Sequence, residues 1–180
     1  MEAVNRRRIR PSNLAYQIAI YTYGTHASVG IRRLLDRDKK TFSLRVLLKQ
    51  IRNNSQVITR RSFVQRYRKE LRDVASIEFE RIAGSRAKSL PRDVVQKDLN
   101  RLVDVTTRII KTVDKRIAHH ERRPRAGRLP KWREIHQAIS TMEDITLRYE
   151  FILHQSAPSS LRPANIMEYE ADWLEIWGDG

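Results

Sequence analysis

The sequence predicts an all-α fold, a compact bundle of about five helices ending in a tail or short docking helix. Three features point that way. Apolar residues recur three and four apart through most of residues 13–153, Pro11, Pro91 and Pro130 stand at starts of such stretches, and the links between them are short. With 180 residues there is room for one domain with a real core. The expected division is a helical bundle over 1–155 and an acidic extension over 156–180.

The first helix is expected over 13–37, where Ser12 can cap and Leu14, Ile18, Tyr21, Ser28, Ile31 and Leu35 form an imperfect stripe. Gly24 and Gly30 lower its propensity and mark either close packing or a weak point. His26 has no companion ligands and is read as structural. Thr41 or Ser43 can cap a second helix bearing Leu44, Leu47, Leu48 and Ile51, which the turn residues Asn53, Asn54 and Ser55 close. After an ambiguous Val57–Ile58–Thr59, one long third helix is expected, with Phe63, Tyr67, Leu71, Val74, Glu78 and Ile82 on one side and Gly84 as its end.

Pro91 opens the fourth helix, whose stripe runs Val95, Leu99, Leu102, Thr106, Ile109, Val113 and Ile117. Beyond the basic break ERRPRAGRL, Pro130 opens a fifth helix with Trp132, Ile135, Ile139, Met142, Tyr149 and Ile152 on its apolar side. Those aromatic and Met positions are read as bundle packing rather than a cofactor box. In the extension, Ile166, Tyr169, Trp173 and Ile176 or Trp177 also fall at helical spacing. That pattern suits a docking helix or a contact with a protein partner through Trp173 and Trp177, and a flexible acidic tail is the other reading.

Charge narrows the choice of partner. Lys and Arg number 36 against 21 Asp and Glu, a formal +15. Residues 156–180 hold one Arg and five acids, a formal −4, which leaves +19 on residues 1–155. A body this basic favours a polyanionic partner, most obviously nucleic acid, or an acidic protein or membrane surface, and a basic solvated surface is the alternative reading. The absence of Cys excludes disulfides and thiolate chemistry. There is no GxxxxGK[ST] or GxGxxG loop to cradle a nucleotide, so no cofactor is expected. No apolar run is long enough to span a bilayer and the basic N-terminus lacks a signal-peptide core, which predicts a cytoplasmic protein without a membrane partner.

The chemically suggestive stretch is KTVDKRIAHHERRP, residues 111–124. On an ideal helix Arg108, Thr112, Lys115 and His119 share a side, whereas His120 continues a neighbouring one. His119 is therefore the candidate for proton transfer, and His120 for packing or ending the helix. No third ligand accompanies the pair at a diagnostic spacing, so no metal site is assigned. Lys115 and Arg116 are the nearest phosphate-binding candidates, followed by Arg108 and the basic run Arg122, Arg123, Arg125 and Arg128.

LDRDKKTFSLRVLL within 27–51, together with DKRIAHHE at 114–121 and the helix WREIHQAISTMEDITLRYEFIL at 132–153, resembles the HEPN-domain superfamily. The resemblance is to its branch associated with bacterial abortive-infection systems, and it covers roughly the first 155 residues. It implies a compact helical domain, often a homodimer, whose members include metal-independent ribonucleases and non-catalytic nucleic-acid-binding relatives. Active members carry an Arg with four to six residues between it and the His. His119 matches the histidine and Asp114 the polar residue that follows the Arg, but Val113 occupies the arginine position and carries no charge. Arg116 lies only three residues before His119, and Arg108 lies about 16 Å away by helical rise. The leading expectation is a degenerate HEPN-like module that binds RNA or another polyanion. A ribonuclease using His119 with Arg116 or Lys115, and a structural or protein-interaction module, remain as alternatives.

Overall fold

The structure, a computed structural model, describes residues 14–118 and 130–155. These residues form six α-helices: α1 Leu14–Leu34, α2 Leu44–Asn53, α3 Arg60–Gln65, α4 Arg72–Ala83, α5 Arg92–Thr112 and α6 Trp132–His154. Short 3-10 turns occupy Ser55–Val57 and Lys69–Leu71, and a π-turn, Val113–Ala118, continues α5. No strand occurs among the described residues; a single antiparallel bridge joins Thr59 to Ser89. The extension from 156 onward, with Trp173 and Trp177, lies outside the described residues, as does 119–129.

α5 is the central helix, packed on α1, α2 and α6. Its expected stripe is buried at Val95, Leu99, Leu102, Thr106, Ile109 and Val113, and the side chain of the last member, Ile117, lies outside the described residues. From α6, Ile135, Met142, Ile145, Tyr149 and Ile152 meet them, while Leu48, Phe63 and Phe79 close the remaining sides. The core also holds a carboxylate. Asp98 accepts from Arg148 Nη1 at 2.6 and 2.8 Å and from the Tyr149 hydroxyl at 3.0 Å. Burial, then the Asp98 charge, pushes the Tyr149 phenol far above its ordinary pKa, so the hydroxyl remains a donor.

Local chemistry sets the helix ends. The Ser43 hydroxyl accepts from Val46 N–H and donates to the Asp36 carbonyl, which fixes both the start of α2 and the loop before it. Thr59 caps α3 through Ser62 N–H. At the other end of the bundle, Gln155 takes φ +60° and its amide donates to Phe151 O at 3.0 Å, a left-handed stop to α6.

Two expectations from the periodicity are corrected. The long third helix is two helices, because the chain turns through residues 66–71. Arg66 there donates to the open carbonyls of Leu153 and Ile152 at 2.6 and 3.0 Å, and Gln155 Nε2 donates to Phe63 O at 3.1 Å. These bonds hold the end of α3 against the end of α6, and the turn lets Phe63 and Phe79 enter one core with ring centroids 5.6 Å apart. Leu71 and Val74, expected on the buried stripe, are left exposed. In α1 the stripe is buried only at Ser28, Ile31 and, just past the helix, Leu35, whereas Leu14, Ile18 and Tyr21 are exposed. The described bundle reaches α1 from Tyr23 onward, where Trp132 at the start of α6 stacks on it with centroids 5.1 Å apart.

The glycines of α1 do not mark a close approach. A Cβ at Gly30 would meet nothing within 4 Å, and one at Gly24 would rest 3.9 Å from the Trp132 ring. His26 is exposed, its Nδ1–H donating to Thr22 O at 2.8 Å.

Candidate functional site

The motif region begins where α5 passes into the π-turn. Val113, the first residue of that turn, is only 3% exposed and contributes to the core. The position that would hold a phosphate-facing arginine therefore points inward, where a charge would have to be desolvated. Asp114, the next residue, is half-exposed and reaches the other way. It accepts from Arg32 Nε of α1 at 3.2 Å, and Arg32 Nη1 also meets Asp36 at 3.2 Å. The bond to Asp114 is the largest influence raising the Arg32 pKa. One guanidinium thus lies between two carboxylates and adds no net positive charge to the motif.

The neighbouring side chains are also engaged. The Thr112 hydroxyl donates to Arg108 O at 3.0 Å. Arg108, an expected nucleic-acid contact, is exposed but donates to Glu134 Oε1 at 2.6 Å. Glu134 in turn accepts from Lys131 N–H at 2.7 Å and so caps α6. Arg108–Glu134, Arg32–Asp114 and Tyr23–Trp132 together bind α1, the end of α5 and the start of α6 around the motif.

Lys115 is exposed on the π-turn. Arg116 belongs to the same turn by its backbone, but its side chain lies outside the described residues, as do His119, Arg122, Arg123, Arg125 and Arg128. An i→i+5 turn displaces the helical phase, so the single face drawn from Arg108 through Lys115 to His119 on an ideal helix does not run unbroken through Val113–Ala118. Among the described residues, no group of three or more His, Asp or Glu is gathered as for a metal ion.

The structure adds residues that sequence spacing did not indicate. Arg32 is 82 positions from Asp114, and only the packing of α1 against the π-turn joins them. A second case is the loop after α1. Asp36 accepts from Asp38 N–H at 3.1 Å, Asp38 accepts from Lys40 N–H at 2.9 Å, and the Thr41 hydroxyl donates to Asp38 O at 2.7 Å. Both loop acids are spent on shaping the turn, while Arg37, Lys39 and Lys40 are exposed. The Asp38 amide bond is the main cause holding the Asp36 carboxyl below its usual pKa. Arg45, in the first turn of α2, makes no ion pair among the described residues. Burial first, and the adjacent Arg37 charge second, lower its pKa, so this cation would gain from an anion. The signal was legible in DRDKKTFSLR only as net charge, because the pairing of its acids is a three-dimensional fact.

No helix among the described residues is long and apolar enough to cross a membrane. No curated protein and no solved structure is detectably similar to the chain. The family described as HEPN AbiU2 matches residues 5–174, nearly the whole sequence and both of the stretches that carried the HEPN resemblance. Helical bundle, motif remnant and family match agree: the chain belongs to the AbiU2 branch of the HEPN superfamily, the branch expected from its likeness to abortive-infection proteins.

Proposed function

We propose that the chain is a degenerate HEPN-like module that binds RNA, or another polyanion, as part of a defence system. The observation that carries this reading is the motif's missing charge: Val113 is packed in the core at 3% exposure, and the nearby Arg32 is neutralised by Asp36 and Asp114. Stabilising a cleaved phosphodiester needs a free cation at that place. Binding needs only a basic surface, and residues 1–155 carry a formal +19. Lys115, Arg116 and the run Arg122, Arg123, Arg125 and Arg128 are the proposed phosphate contacts beside the motif, with Arg37 added from the loop after α1 and Arg45 from the first turn of α2. Arg108 becomes a weaker contact, since Glu134 already holds it.

A homodimer is part of the same proposal. The exposed stripe of Leu14, Ile18 and Tyr21 on α1 supports it, with Tyr21 seven residues after Leu14 on one helical side. Light scattering of the purified chain reads the assembly directly; a monomer at micromolar concentration refutes it.

The deciding experiment titrates the protein with single-stranded RNA at several salt concentrations, then incubates it with RNA in EDTA beside His119→Ala. Affinity that falls steeply with salt, with no cleavage, is the expected result. EDTA-resistant cleavage lost in His119→Ala assigns the chain to metal-independent ribonucleases instead. No binding at low salt leaves the interaction-module reading.

A further inference from the structure

An open groove of about 730 Å³ runs between α4 and α6. Its apolar wall is Tyr67, Leu71, Val74, Ile82, Leu147 and Phe151. Leu71 is 50% exposed and Val74 56%, and with them α4 presents to solvent the side that periodicity marked for burial. Tyr67 adds a polar demand, for its hydroxyl is shielded from solvent and has no hydrogen-bond partner among the described residues. Burial raises its pKa, so the group is a donor awaiting an acceptor.

We infer that this groove is the docking site for the chain's own C-terminal segment, residues 166–177, seated through Ile166, Tyr169, Trp173 and Trp177. The exit of the chain selects this occupant. α6 supplies Leu147 and Phe151 to the groove and ends at His154, and Gln155, with φ +60°, turns the backbone beside Phe63 and the start of the α3–α4 turn. The stretch from 156 to 165 spans up to about 33 Å when extended, enough to reach any point on the groove. Lengths match as well, since α4 has 12 residues and a helix of that length covers about 18 Å, the same as residues 166–177 if helical.

Charge favours the same pairing. Residues 66–72, which supply Tyr67 and Leu71 to the groove, contain Arg66, Arg68, Lys69 and Arg72 against Glu70, a formal +3, the groove's own charged lining of Glu78, Arg81, Asp144 and Arg148 is neutral, and the segment from 156 carries −4. The exposed stripe on α1 lies on the helix that meets the other end of α6, at Trp132, and so is the poorer match for a segment leaving at Gln155. A docked segment fills the groove and covers Leu71 and Val74.

The chain has no Cys, so a single Val74→Cys accepts a bimane label whose emission is quenched by contact with Trp. In the 180-residue chain the label is expected to be quenched independently of protein concentration. Its emission should at least double when Trp173→Phe and Trp177→Phe are added. Equal emission with and without the two Trp residues overturns the inference. Quenching that grows with protein concentration also overturns it, by giving the groove to a second copy. Because the label itself occupies the wall, amide exchange of α4 in the unlabelled chain provides an independent reading. Exchange should quicken in Trp173→Asp/Trp177→Asp, and unchanged exchange counts against docking.

Discussion

Placing arginine at position 113 should not turn the chain into a nuclease; it should strip the fold of much of its stability. Val113 is 3% exposed, against the core side of α5. Losing a buried Val side chain costs about 1.5–3 kcal/mol. Forcing a longer side chain into the same space costs a further 1–3 kcal/mol or so. Desolvating its charge adds to this, although the guanidinium can escape part of that cost by extending toward the surface. The net loss for Val113→Arg is about 3–5 kcal/mol, a large share of the roughly 5–15 kcal/mol that holds a domain folded. Urea unfolding followed by circular dichroism measures it, and at a slope near 2 kcal/mol per molar the midpoint should fall by about 2 M. Val113→Leu serves as the control and should cost less than about 1.5 kcal/mol. A Val113→Arg protein with the parental midpoint that cleaves RNA in EDTA would refute the reasoning, because position 113 would then face the substrate.

Asp98→Ala should destabilise by about 3 kcal/mol, the low end for breaking a buried pair, since Arg148 is a third exposed and can turn to water. A double-mutant cycle with Tyr149→Phe in urea should show coupling, and additive effects would contradict the shared hydrogen bond. Gly30→Ala should stabilise by about 0.5–1 kcal/mol, because the methyl meets empty space in a helix interior; a lower midpoint would contradict that. Since the folded Asp36 pKa is depressed, its contribution is present above the ordinary carboxylate range and is lost as pH falls through the depressed value. Asp36→Asn should therefore flatten the acid side of the stability profile, and an unchanged profile would rule the contribution out. For RNA binding, Arg37→Gln/Arg45→Gln should lower the slope of log K against log salt by about 1.4, at 0.7 per phosphate contact on single strands. Arg108→Gln should barely move it, and the reverse ranking would remove the loop from the interface.

Helical periodicity was enough to locate the core of this protein wherever a helix packs along its whole length. Val95 to Ile109 in α5, continued by Val113 in the π-turn, and Ile135 to Ile152 in α6 behave that way. It misled where burial depends on a neighbour's position. Leu71 and Val74 have the right spacing, but the bonds from Arg66 and Gln155 to the ends of α6 and α3 force a turn that takes them off the core. Leu14 and Ile18 keep the period of α1 but lie before the point where α6 begins to cover it. At the site, the sequence showed that Val113 lacks the charge of an arginine. It could not show that Asp114 is held by Arg32, because such a contact has no signature in local spacing. The family match supports the identity that the two quoted stretches suggested, whereas the basic residues from Arg122 to Arg128 remain a proposal.

The Thr59–Ser89 bridge has a consequence for how sequences of this kind can change length. Arg60 N–H donates to Lys88 O and Leu90 N–H to Ile58 O, each at 2.9 Å, so the entrance and exit of the α3–α4 unit lie side by side. A segment whose two ends meet can grow or shrink at its far tip without displacing what lies on either side. That tip is Arg68, Lys69 and Glu70, all exposed, between Arg66 and Tyr67, which are held against α6 and the core, and Leu71. Length variation among related chains should therefore gather at this turn, whereas deletion of the whole unit would strip Phe63, Ala75, Phe79 and Ala83 from the core.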